Sequence, residues 1–192
     1  PSQSQSQSPG GWRFRFDDKQ GFRKMRRATH EFAGAVTSVF WNIDTCPVPR
    51  GFDAHLVGPC MKRYLEKLGY TGPLTMCVAG TLTDVSDEIL RAVSSTGFLV
   101  YIDPYGKNLA AYYFDWNYQN PPPANIMVIT YSTDRDTAID LRMLQGRGYN
   151  IIRPYPLGPA SSTNAWESFL LAESGELEED YPIETAESSW VC

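Results

Sequence analysis

Short apolar runs alternate along this chain with longer stretches in which apolar residues recur every three or four positions. The first run, Ala35-Val-Thr-Ser-Val-Phe-Trp41, is β-branched and aromatic and predicts a strand. It stops at Asn42-Ile-Asp-Thr-Cys-Pro-Val-Pro49, where two close prolines end the ladder. Leu56, Cys60, Tyr64, Leu65 and Leu68 then mark a helical stripe, with Lys62, Arg63, Glu66 and Lys67 facing water. Pro59 points to a start near that residue, and Gly69 ends the helix. Leu74–Val78 predicts the second strand. Thr83 or Asp84 is the expected N-cap of a helix carrying Val85, Ile89, Leu90 and Val93. Phe98–Ile102 is the third strand, followed by an aromatic helix over 108–118. Ile126–Thr130 is the fourth strand, Asp134–Arg147 a helix, Tyr149–Ile152 the fifth strand, and Ser161–Leu171 a final helix.

Strand and helix alternating at this spacing predict right-handed crossovers and a mostly parallel sheet of about five strands in an α/β domain. The strands are continuous apolar runs, as a sheet covered on both faces requires. The domain is expected over 35–173. Residues 1–34 begin with Gln/Ser repeats and continue as a basic, aromatic stretch, and they read as a mostly disordered arm. Residues 174–192 read as an acidic disordered tail.

Charge sharpens this division. The 192 residues carry a net charge of -5 with 42% hydrophobic residues, which suits one domain with a real core. Residues 1–30 hold a net +5 and residues 161–192 a net −8. Arms of this kind touch polyanions or simply keep a protein soluble. Arg23, Lys24, Arg26 and Arg27 are the candidate nucleic-acid contacts in the arm. No apolar run approaches the roughly 20 residues needed to span a bilayer. Cys46, Cys60, Cys77 and Cys192 form no CxxC pair, so reduced, buried thiols in a soluble intracellular protein are expected. A chain opening on Pro1 reads as a fragment or a processed product.

In parallel sheets, sites form at the carboxyl ends of the strands. Asn42 and Asp44 follow the first strand, Asp103 the third, and Asp134 and Asp136 the fourth. Carboxylates that converge need a counter-charge, and oxygen ligands select hard cations such as Mg²⁺ or Mn²⁺. Such an ion activates water and stabilises a phosphate under attack. Taken singly, Asp134 could be a helix N-cap, Asp44 a turn residue and Asp103 a pre-proline turn. Lys107 lies beside the same edge and could meet a phosphate or only solvent. His30 and His55 read as surface residues. Nucleotide-binding and hydrolase motifs of the GxGxxG, GxxxxGK[ST] and GxSxG kinds are missing.

Val39-Phe-Trp-Asn-Ile-Asp-Thr-Cys-Pro-Val-Pro49 resembles the opening motif of NYN domains of the limkain and meiosis arrest female type, Val-Phe-Trp-Asp-Ile-Glu/Asp-Asn/Asp-Cys-Pro-hydrophobic-Pro. Further similar stretches follow in the same order. They are Tyr64-Leu-Glu-Lys-Leu-Gly-Tyr70, Asn120–Ile129 with Ser132-Thr-Asp134 after it, and Leu141–Ile152 with Arg147-Gly-Tyr-Asn150. The resemblance implies a PIN-like (Rossmann-like) three-layer fold and endonucleolytic cleavage of RNA, expected to be single-stranded, with Mg²⁺ or Mn²⁺. It also implies a part in regulating gene expression, and an association with peroxisomes in the limkain group.

Residue by residue, the likeness is incomplete. Asn42 stands where the family has its first catalytic Asp. Asp44 fills the next acidic place, and Asp134 matches the acid after the fourth strand, with Asp136 two residues on. Ala111 or Tyr112 stands where the family has an Asp on the helix after the third strand. The expected metal ligands are therefore Asn42, Asp44 and Asp134, and the expected catalytic acids Asp44, Asp134 and Asp136. By the strand period of two, Asp44 should share the face of Asn42 and offset its lost charge. Each lost electrostatic contribution costs on the order of 10²–10³ in rate. Three readings stay open: a weakened metal-dependent ribonuclease, an inactive RNA-binding or scaffolding domain, and a decayed paralogue with no activity.

Overall fold

The computed structural model describes residues 27–104, 109–131, 135–155 and 163–180. Five strands form one all-parallel sheet: β1 (Thr37–Asn42), β2 (Leu74–Gly80), β3 (Phe98–Ile102), β4 (Asn125–Ile129) and β5 (Asn150–Ile152). Their order across the sheet is β3-β2-β1-β4-β5. Every residue of the central β1 is buried, as a strand covered on both faces must be.

The sheet divides two cores. On one face Val39, Trp41, Met76, Val78 and Met127 meet α2 (Val57–Lys67), α3 (Asp87–Ser95) and α6 (Thr163–Asp180). On the other, Phe40, Cys77, Ile126 and Val128 meet α4 (Ala110–Gln119) and α5 (Arg135–Gly146). This three-layer α/β arrangement is the PIN-like fold expected from the sequence.

Several boundaries differ from expectation, each for a local reason. A 3₁₀ turn at Ala54–Leu56, capped by Asp53 accepting from His55 N at 2.9 Å, leads into α2 two residues ahead of Pro59. Proline is tolerated there because first-turn N–H groups have no helical acceptor. Ser86, not Thr83 or Asp84, caps α3 by accepting from Ile89 N. Helix α6 runs on past residue 173 to Asp180, and Lys67 pairs with the buried Glu173 at 3.2 Å. Order also begins before Ala35. Ala28 N donates to Leu68 O at 2.7 Å, Thr71 N to Ala33 O at 2.8 Å, and Asn125 Nδ2 to Phe32 O at 2.9 Å, so α1 (His30–Ala33) is tied to the sheet's amino edge. Among the described residues no helix is long and apolar enough to cross a membrane.

Cys46, Cys60 and Cys77 are free and buried, as expected. Burial, with the charge of Glu173 behind it, pushes the Cys60 thiol from an ordinary 9.0 up to about 12. Burial likewise raises Cys46, Cys77 and Tyr64. A group whose folded pKa is raised stabilises fully below its unfolded pKa and loses that contribution as pH climbs through the folded one. Stability to urea should therefore fall as pH rises from 9 towards 12, and Cys60→Ala should make that fall shallower. Iodoacetamide at pH 8 should leave these three thiols unmodified until the protein unfolds.

Candidate functional site

The strand order reverses at β1: the chain proceeds outward to β2 and β3 on one side, then returns to β4 and β5 on the other. The crevice of such a sheet lies at this switch point, outside the carboxyl ends of β1 and β4. The turn leaving β1 lies at its centre.

That turn is closed by Asn42. Its side chain is buried at 4% exposure, and its Oδ1 accepts from Thr45 N at 3.0 Å. Cys46 N donates to Asn42 O at 3.0 Å. Asn42 therefore does for the backbone what a short polar side chain commonly does at a turn.

Asp44 takes a different direction. It is exposed, and its Oδ2 accepts from Thr81 N at 2.7 Å, beyond the end of β2. Gly80 makes this approach feasible. A Cβ on Gly80 would stand 2.6 Å from Asp44 Oδ1 and 2.9 Å from its Cγ. The expectation that Asp44 shares the face of Asn42 is thus corrected. Strand β1 ends at Asn42, and a period of two does not continue into a turn.

Thr45, the next residue, faces β4. Its Oγ1 lies 3.2 Å from Thr130 Oγ1 and accepts from Tyr131 N at 3.2 Å. One turn thus sends a carboxylate toward β2 and a hydroxyl toward β4, and ties the two halves of the sheet together at the switch point. Asp103 joins the edge from β3, its N donating to Gly80 O at 2.8 Å. Tyr112 lies on α4, against Tyr101 of β3. Its phenol is raised by burial and then by the charge of Asp103.

Trp41 Nε1 donates to Cys46 O at 2.7 Å, and Trp166 Nε1 to Pro47 O at 2.9 Å. Cys46 Sγ lies 3.2 Å from Tyr155 Oη. Burial raises both of these groups, and Cys46, itself 3% exposed, forms part of the wall of the loop.

Of the residues expected from sequence, the structure brings Asp44 and Asp103 to flank the end of β2, with Asn42 behind them. Asp134, the side chain of Asp136, Lys107, Arg23, Lys24 and Arg26 lie outside the described residues. Arg27 is exposed beside α1, on the opposite edge of the sheet. Thr45, Thr130, Tyr131 and the Gly80-Thr81 cradle were not foreseen, because nothing in their local pattern marks them.

The chain matches the NYN domain model over residues 36–172. It belongs to the NYN domain family. NYN domains are PIN-like nuclease domains that act on RNA. No curated protein matches the chain. In this NYN domain, no group of three or more His, Cys, Asp or Glu side chains converges among the described residues. Asp44 suits a hard cation, being an exposed carboxylate held in place through one oxygen. Asn42 suits it poorly, since its amide oxygen is neutral and already accepts a hydrogen bond.

Proposed function

We propose that this NYN domain binds single-stranded RNA across the switch point and cleaves it slowly, with Asn42 holding the rate down. The observation that carries this reading is the turn after β1. It presents one anchored, exposed carboxylate at the crevice and buries a neutral amide in the family's acidic place. Asp44, with Asp134 and Asp136, would hold Mg²⁺ or Mn²⁺, and such an ion supplies an activated water and offsets charge on the phosphate. Thr81 N fixes the direction of Asp44, and the Thr45–Thr130 contact keeps the β1 and β4 ends at a constant separation. Arg142 and Arg153 lie near one another toward the β5 side. Both reach solvent, and two like charges there suit a phosphate backbone.

A limkain-type member of this family would use such cleavage to regulate gene expression. Peroxisomal association is part of the same proposal and rests on the resemblance alone.

The test is cleavage of a labelled single-stranded RNA in Mn²⁺. Slow cleavage is expected, with Asp134→Ala and Asp44→Asn each lowering it by about 10²-fold or more. Cleavage that persists in both variants removes the acidic site from the mechanism. Ala111 or Tyr112 in an acid's place favours a second reading, an inactive RNA-binding or scaffolding domain. Binding without cleavage, lost when residues 12–27 are removed, would establish that one instead.

A further inference from the structure

Beside the acidic edge, on its β4 and β5 side, lies a cavity of about 110 Å³. Its lining includes Thr45, Pro47, Tyr131, Tyr155, Trp166 and Glu167. The volume is well below the roughly 300 Å³ at which drug-sized ligands are accommodated, so it suits one flat heterocycle of nucleobase size.

Its walls are pre-set. The Trp166 and Trp41 indoles each donate to a carbonyl of the loop that forms one wall, and the Cys46–Tyr155 contact braces another. Those polar tips are turned into the protein. Thr45, Pro49 and Tyr131 are half-buried, while Pro47 and Glu167 are exposed, so the reachable lining is one aromatic ring, two proline rings, the Thr45 side chain and one acidic residue.

Its location adds a second argument. Thr45 lines the cavity and directly follows Asp44, so the two Cα atoms are about 3.8 Å apart. Their side chains part toward β4 and β2, respectively. A strand lying over Asp44 therefore passes the mouth of the cavity.

We propose that this cavity receives one unpaired base of the bound RNA, and that Glu167 selects guanine. The inference rests on the RNA-binding reading above. An aromatic ring beside a base is a sequence-tolerant contact. The carboxylate supplies the selection. Guanine alone among the four bases offers two adjacent N–H donors, N1–H and N2–H, to the two oxygens of a carboxylate. Adenine and cytosine set an amino donor beside an acceptor nitrogen, which a carboxylate repels. Uracil sets one N–H between two carbonyls.

The experiment is fluorescence anisotropy on the full chain in EDTA, where cleavage is silent. The probes are 12-nucleotide uridine tracts with one central G, A or C. The G-containing strand should bind about tenfold tighter than the others. Glu167→Gln, at an exposed position, should erase that preference. Tyr131→Leu should weaken all three strands together. If the wild-type chain binds all strands equally, or Glu167→Gln leaves a guanine preference intact, the cavity is not a base site and RNA binding stands without it. If the wild-type chain binds none of the strands, the RNA reading itself fails, and this inference with it.

Discussion

Asn42→Asp is expected to raise Mn²⁺-dependent cleavage of single-stranded RNA by about 10²-fold, the size of one lost electrostatic contribution in an active site. The turn itself should survive the change. An aspartate oxygen accepts from Thr45 N as the amide oxygen does, and the added charge strengthens that bond. What changes is the charge at the end of β1, where Asp44 is the neighbouring described carboxylate on the same turn. The position is 4% exposed, so a carboxylate there is costly unless a cation offsets it. The variant should therefore be less stable than wild type in EDTA, and Mn²⁺ should raise its Tm more than that of wild type. Cleavage kinetics and thermal unfolding, each with and without Mn²⁺, check the two halves separately. A variant with unchanged rate and no added Mn²⁺ response would show that position 42 does not set the activity.

Trp41→Ala should be the most destabilising single change along the site-bearing strand, at about 3–5 kcal/mol. Trp41 is fully buried next to the carboxyl end of β1. It packs edge-to-face on Phe98 at 5.4 Å and against Trp166 at 5.5 Å, joining α6 to the sheet. Its Nε1 also donates to Cys46 O, so truncation both opens a void and strips a carbonyl of its partner. Against a typical total of about 5–15 kcal/mol, such a loss leaves a marginal fold. Trp41→Phe restores most of the ring contact but not the donor, and should cost about 1–3 kcal/mol. Urea denaturation followed by circular dichroism measures both. A loss below about 1 kcal/mol for Trp41→Ala would mean that the loop after β1 is held by other contacts.

Much of this architecture was written into local pattern. The third strand lies at Phe98–Ile102, where the apolar run puts it, because a run of that length flanked by Gly97 and Asp103-Pro104 has few other options. The placement of acids at the carboxyl edge also follows from alternation, since parallel strands all end on the same side. Helix ends were less legible. The choice between Thr83, Asp84 and Ser86 as cap depends on where β2 and β3 hold the loop, and all three residue types cap well. Helix α6 continues to Asp180, and its Glu173 meets Lys67, a residue over a hundred positions earlier. An acidic stretch read alone gives no sign of that partner.

The sequence by itself determined the alternation of strands and helices, the parallel sheet and an asparagine at position 42, because these follow from hydrophobic period and residue identity. Only the tertiary structure decided how the two side chains of that turn are used. Asn42 is closed on Thr45, and Asp44 is drawn across Gly80 to the amide of Thr81, a partner supplied by a different strand. The reason is that a turn has no period. Once the strand ends, each side chain goes to whichever hydrogen-bond donor the packed neighbours bring within reach, and those neighbours lie far away along the chain.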